Sequence, residues 1–133
     1  MRSDGTGQKL SGLRVLLVED TEDIRELLAN LLRIEGVQVR AAGSAQAAVE
    51  IAVGWEFDVL LTDLGLPDVT GDDLITAILA MKNDRPRVVV FTGFGEPYAG
   101  RARDAGADVV LTKPLDWSVL WSHVATGDAA LAA

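Results

Sequence analysis

An α/β fold built on a parallel sheet is what this chain of 133 residues predicts. Two observations carry that class. Four short apolar runs, Leu13 to Asp20, Phe57 to Asp63, Arg87 to Gly93 and Ala107 to Pro114, are rich in valine and leucine and read as strands buried on both faces. Segments with helical periodicity separate them, so strand and helix alternate in units of roughly 20 to 25 residues, the pattern of right-handed crossover connections.

The first strand is LRVLLVED, residues 13 to 20. Ile24, Leu27, Leu28, Leu31 and Leu32 then recur at i, i+3, i+4, i+7 and i+8, a helical stripe facing the core and closed by Gly36. Val37 to Ala41 alternates apolar with polar and predicts a fifth strand at a sheet edge. Ser44 is placed to cap a second helix that stops at Gly54. After FDVLLTD, Pro67 prevents strand continuation, and Asp72 and Asp73 stand where acidic groups favour the start of a third helix, DLITAILAM. RVVVFTG leads to a fourth helix, Pro97 to Ala105, with Pro97 near its first turn and Gly106 after its end. ADVVLTKP leads to a fifth, Leu115 to Ala125, with Leu120 and Val124 at core spacing and Trp117 and Trp121 on the flank.

One domain is expected over residues 13 to 125, with flexible segments at 1 to 12 and 126 to 133. The absence of cysteine excludes disulfides, thiolate nucleophiles and cysteine-based metal centres. No apolar run reaches the roughly 18 residues of a membrane span, and the N-terminus lacks a secretory signal, so a cytoplasmic protein away from membranes is expected. A net charge of −8, with 12 scattered Lys and Arg, would repel a polyanionic backbone, so direct nucleic-acid binding is not expected.

Ligands of open parallel sheets bind beyond the carboxyl ends of the strands. Those ends carry Glu19 and Asp20, then Asp63, Thr92 and Lys113. Carboxylates converging there repel one another: two unit charges about 4 Å apart cost on the order of 4 kcal/mol at an effective dielectric of about 20. A cation must compensate, and oxygen donors that leave room for water suit Mg²⁺. A carboxylate set among a divalent cation, an ammonium and a hydroxyl is placed to become an acyl phosphate. Asp63 is the natural nucleophile, and Gly65 leaves the approach to it open. Singly, each residue has an ordinary role as turn former or helix cap. Their coincidence at successive strand ends is what points to phosphoryl chemistry.

Four motifs in order, VLLVED, LLTDLGLPDVTG, VVVFTG and the TKP of residues 112 to 114, resemble the receiver domains of bacterial two-component response regulators. The resemblance spans about residues 13 to 125. It implies a five-stranded sheet of order 2-1-3-4-5 in a flavodoxin-like (βα)5 three-layer sandwich. It implies Asp63 as phospho-acceptor, with Mg²⁺ on Asp20, Asp63 and the carbonyl of Gly65 and with Glu19 acting through water. Thr92 and Lys113 would bind the phosphoryl oxygens, and the Lys113–Pro114 bond would be cis. The donor would be a histidine on a partner sensor kinase or histidine phosphotransfer protein. Phosphorylation would bias a two-state equilibrium of the face made by helix 4, strand 5 and helix 5, with Gly93 and Gly95 lending compliance to the loop after Thr92.

The sequence departs from many receivers at Val110, where they carry Tyr or Phe; an aromatic switch at that position is excluded. Tyr98, the sole tyrosine, is a candidate substitute. With Val110, Trp117 and Trp121 it marks a candidate partner surface, through which the chain would be a monomer or weak dimer. Phe94 and Gly65 occupy positions that influence phosphoryl lifetime in this family. His123, the single histidine, reads as an ordinary helix residue. The leading expectation is a single-domain response regulator without DNA-binding output, with no enzymatic activity beyond self-phosphorylation and autodephosphorylation. A receiver excised from a hybrid histidine kinase is the alternative. A Mg²⁺-dependent aspartyl-phosphate phosphatase is disfavoured because Gly65 stands where that class needs a second aspartate, and a flavodoxin-like cofactor binder because Glu19 and Asp20 would repel its phosphate.

Overall fold

Parallel pairing joins all five strands of the sheet in the order β2-β1-β3-β4-β5, the order that the resemblance implies. The structure, a computed structural model, describes residues 12–125. The segments expected to be flexible therefore lie outside the described residues, Gly12 excepted. The elements run β1 (Arg14–Val18), α1 (Glu22–Ile34), β2 (Gln38–Ala42), α2 (Ala45–Gly54), β3 (Val59–Thr62), α3 (Gly71–Met81), β4 (Arg87–Thr92), α4 (Tyr98–Ala105), β5 (Val109–Thr112) and α5 (Trp117–Ala125).

Period-two alternation along the central strands divides the core into two layers. Leu16, Val18, Leu60, Val88 and Val90 face α2, α3 and α4, meeting Ala48, Ala52, Leu74, Ile75, Ile78 and Ala102. Val15, Leu17, Val59, Leu61, Val89 and Phe91 face α1 and α5, meeting Leu28, Ala29, Leu32, Leu120 and Val124. The chain moves outward from β1 to β2 and then returns to place β3 on the other side of β1. That reversal opens a crevice beyond the carboxyl ends of β1 and β3, where loops diverge to opposite faces.

Several expectations need correction. β5 is not buried on both faces: it is an edge strand, with Val109, Val110 and Leu111 half-buried and Thr112 exposed. Leu27 does not face the core but is 58% exposed. α1 rests on the sheet through Leu28, Ala29 and Leu32, and the small Ala29 rotates the contact face away from Leu27. β2 begins one residue later than expected. α5 begins at Trp117 rather than Leu115 because Asp116 accepts the Val119 N–H at 3.2 Å and fixes the first turn. Pro97 precedes α4 instead of lying in its first turn, after a cis Glu96–Pro97 bond that the sequence reading did not foresee.

Ser44 accepts the Ala47 N–H at 3.1 Å and caps α2 as expected. The other end of α2 is closed by a residue that sequence reasoning missed. The Lys82 side chain, 6% exposed, donates to the carbonyls of Ala52 (2.6 Å) and Trp55 (2.9 Å) and to Glu56 Oε2 (3.1 Å). These carbonyls would otherwise end the helix without partners. Lys82→Met is expected to lower unfolding free energy by about 2 kcal/mol, whereas Glu56→Gln, at the exposed end of the pair, should cost less than about 0.5 kcal/mol; urea denaturation of both variants checks the difference.

Candidate phosphoryl-acceptor site

β1 ends at Val18, and the Glu19 N–H continues the ladder to the Ala42 carbonyl at 3.0 Å, which turns the Glu19 side chain inward. It is 1% exposed. One oxygen, Oε2, accepts the Thr21 N–H at 2.9 Å. The other, Oε1, is buried without a hydrogen-bond partner and lies 3.6 Å from Lys113 Nζ. Asp20 is exposed on the rim.

Across the crevice, the Asp63 N–H donates to the Val18 carbonyl at 3.1 Å, which locks the start of the β3–α3 loop to β1. Asp63 is buried; its Oδ1 accepts the Gly65 N–H at 3.2 Å and its Oδ2 accepts from Lys113 Nζ at 3.0 Å. The Thr62 hydroxyl donates to the Asp63 carbonyl at 2.8 Å. Lys113 is held in turn by its own N–H, which donates to the Thr92 carbonyl at 2.8 Å, and is followed by a cis bond to Pro114. Thr92 is fully buried, and its hydroxyl oxygen accepts the Phe94 N–H at 3.0 Å.

Burial pushes the Glu19 carboxyl up, and the Thr21 N–H and the charge of Lys113 only partly offset this. Burial also pulls the Lys113 ammonium down, but the hydrogen bond and charge of Asp63, with the charge of Glu19, outweigh it and leave the net shift upward. The lysine therefore stays charged.

Carboxylate oxygens of Glu19, Asp20 and Asp63 lie within 4.8 Å of one another. Three carboxylates face one ammonium, and Glu19 Oε1 lacks a donor. A divalent cation with oxygen ligands fits this donor set and would supply the missing partner.

The approach at Gly65 is not open on every side. A Cβ at that position would sit 3.2 Å from Phe94 Cε2, so the Phe94 ring covers the glycine. Phe94 in turn packs against Tyr98, with ring centroids 5.2 Å apart, and Arg101 lies 5.5 Å above the Tyr98 ring. Tyr98 is 43% exposed. Val110 is half-buried against the α2–α4 layer, on the face of β5 opposite Val109 and Leu111. Trp117 and Trp121 stack on each other at 6.0 Å and pack, half-buried, on the α1–α5 layer. His123 contributes its carbonyl, which accepts from Arg87 Nε at 3.0 Å.

Two polar residues near the site escaped the sequence reading. Arg25 Nη1 donates to the Glu19 carbonyl at 2.8 Å. Asp68 accepts the N–H groups of Ala45 (3.0 Å), Gln46 (2.8 Å) and Val69 (3.0 Å), and the first two of these hold its carboxyl below the usual range. The signal for Asp68 was an aspartate within the acceptor motif itself, but its partners Ala45 and Gln46 lie more than 20 residues earlier in the chain.

The crevice at the switch point of the parallel sheet thus carries three carboxylates and a lysine. The response regulator receiver domain model matches residues 15–125, so the chain belongs to that family. It is similar to the response regulator protein PilR of Pseudomonas aeruginosa, 38% identical over 118 residues that cover 88% of this chain and 26% of that protein. It is also similar to the transcriptional regulatory protein PdtaR of Mycobacterium tuberculosis, 42% identical over 109 residues that cover 80% of this chain and 52% of that one. The chain thus spans between a quarter and about half of the length of these relatives. Among solved structures, the response regulator TrrA of Thermotoga maritima in complex with Mg²⁺-BeF shares the fold, with a TM-score of 0.78 at 24% identity over 86% of this chain and 98% of that one.

Proposed function

We propose that this chain accepts a phosphoryl group on Asp63 from a phosphohistidine of a sensor kinase or histidine phosphotransfer protein, and that the acyl phosphate changes which protein the α4–β5–α5 face contacts. The observation that carries this reading is the clamp on Asp63. A buried carboxylate held at 3.0 Å by a charged lysine, beside a glutamate oxygen without a donor, is a nucleophile inside a charge-compensating shell.

An Asp63 carboxylate oxygen attacks phosphorus as the P–N bond breaks, and the electron pair returns to the imidazole of the donor. The Lys113 ammonium then has a phosphoryl oxygen to bind in addition to Asp63. The Thr92 hydroxyl, whose oxygen accepts from Phe94, still has its own proton to donate to another phosphoryl oxygen. Glu19, Asp20, Asp63 and the Gly65 carbonyl would hold Mg²⁺, which supplies neutralisation of the phosphoryl oxygens.

An apolar groove of about 300 Å³ runs between α1 and α5 from Lys113 past Leu27, Leu31 and Trp117. Because Lys113, which binds Asp63, lines one end of it, we assign it to the donor protein, whose histidine must reach Asp63 while docked, with the exposed Leu27 as a contact. Output proceeds through protein contacts, since a net charge of −8 opposes a nucleic-acid partner. No described helix is long and apolar enough to cross a membrane, in keeping with action in the cytoplasm beside such donors.

Incubation with acetyl phosphate and Mg²⁺ is expected to add one phosphoryl group by intact mass, and Asp63→Ala to abolish the increment. Sustained hydrolysis of a phosphomonoester would favour a phosphatase instead. No increment from acetyl phosphate or from a phosphohistidine donor would overturn the proposal.

A further inference from the structure

We infer that Asp68 and Arg25 are positioning residues that brace the two halves of the cation site against each other through the turn between β2 and α2. The inference rests on the phosphoryl-acceptor reading of the site. Its carboxylates come from separate loops: Glu19 and Asp20 follow β1, and Asp63 with Gly65 follows β3. The strands fix where each loop starts. What fixes the loops further out is a chain of contacts through the residues that open α2.

On the β1 side, Arg25 Nη1 donates to the carbonyls of Glu19 (2.8 Å) and Asp20 (3.4 Å). The same guanidinium lies against Gly43, where a Cβ would come within 2.8 Å of Nη1. On the β3 side, Asp68 leaves the acceptor loop and accepts the N–H groups of Ala45 and Gln46, in the first turn of α2. Its third bond, to the N–H of Val69, fixes the carboxylate relative to its own loop. Residues 43 to 46 therefore stand between the two loops, hydrogen-bonded to the β3 loop through Asp68 and packed against the Arg25 guanidinium on the β1 side. Asp68 touches none of the acceptor atoms, and its action would be on the separation of the ligands.

Ser44 supplies the control. It caps the same helix by accepting the Ala47 N–H, but it has no bond to either loop. A role confined to stabilising α2 would make Asp68→Ala and Ser44→Ala alike. A bracing role makes them differ, because only Asp68 reaches the acceptor loop.

The full chain, Asp68→Ala, Asp68→Asn and Ser44→Ala would be compared in two measurements. Mg²⁺ titration by calorimetry is expected to show about tenfold weaker binding for Asp68→Ala, the scale typical of residues that orient metal ligands, with less than about twofold change for Ser44→Ala. Asp68→Asn, which keeps one acceptor oxygen, should fall between. In metal-free protein, hydrogen exchange at the Gly65 and Leu66 amides should speed up by about tenfold in Asp68→Ala and remain unchanged in Ser44→Ala. Gly43→Ala, which displaces the Arg25 guanidinium, should weaken Mg²⁺ binding in the same direction. Equal effects of Asp68→Ala and Ser44→Ala on both readouts, or unchanged exchange at Gly65, would overturn the brace. A wild-type chain that binds no Mg²⁺ would instead count against the acceptor reading, while the exchange measurement would still decide on the brace.

Discussion

Lys113→Met is expected to slow phosphoryl uptake from acetyl phosphate by about a hundredfold or more, while leaving the protein folded at saturating Mg²⁺. The lysine is the one cation within 4 Å of both Glu19 and Asp63 among the described residues. Without it, phosphoryl oxygens arriving at Asp63 lose the fixed positive charge that compensates them in the transition state. Metal-free stability should fall as well, by roughly 2 kcal/mol; removing one partner of a buried pair costs more, but almost a third of this side chain is exposed. The pH dependence has a definite sign. Burial already pushes the Glu19 carboxyl up, and the variant removes the lowering effect of Lys113. A carboxyl whose pKa is higher folded than unfolded binds more protons in the folded state, so stability declines as pH rises between those two values. Urea midpoints of the metal-free variant should therefore decline from acid toward neutral pH more steeply than those of the wild type, and Mg²⁺ should restore stability without restoring uptake. Equal slopes, or uptake at the wild-type rate, would contradict this account of Lys113.

The candidate site residues were legible because strand ends are. An apolar run that stops on a carboxylate, a threonine or a lysine gives away both the element and its polar terminus; the side chains of Glu19, Asp20, Asp63 and Lys113 converge in the folded chain, and Thr92 joins them through its carbonyl, which accepts the Lys113 N–H. Residues whose roles depend on which loops become neighbours were not legible. Lys82 closes a helix 27 to 30 residues earlier in the chain, and Asp68 binds one 22 to 23 residues earlier. Neither partner is marked by local pattern. The edge position of β5 was hidden for a related reason: VVLT at the edge and VLLT in the centre are nearly the same word, and sheet order alone separates the half-buried strand from the buried one. Leu27 shows the limit of periodicity, since a stripe of five apolar residues says that a helix has an apolar face but not which part of it meets the sheet.

Glycines near the site divide by the space around them, and this yields the second large effect. Gly71 opens α3, and its N–H donates to the Leu64 carbonyl at 2.9 Å. A Cβ there would stand 2.6 Å from the Asp63 carbonyl oxygen and 2.7 Å from Leu64 Cα, both backbone atoms that cannot rotate away. Gly71→Ala must therefore move either α3 or the acceptor loop. A loss of about 3 kcal/mol is expected, at the upper end for an added methyl in a packed site. Gly93 and Gly95, expected from the sequence to give the neighbouring loop its compliance, have no atoms within 4 Å of a built Cβ, and neither has a positive φ. Alanine at either should change stability by less than about 1 kcal/mol, and the lower entropy of the unfolded chain favours a small gain. The value of Gly71 thus lies in the absence of a side chain and not in backbone freedom. Because the displaced carbonyl belongs to Asp63 itself, Gly71→Ala should also slow phosphoryl uptake by at least about tenfold, since catalytic geometry is sensitive to shifts on the order of 1 Å. Uptake kinetics measured under conditions where both variants are fully folded separate the geometric loss from the loss of stability; a Gly71→Ala protein that is destabilised yet phosphorylated at the wild-type rate would show that α3, and not the acceptor loop, absorbs the displacement.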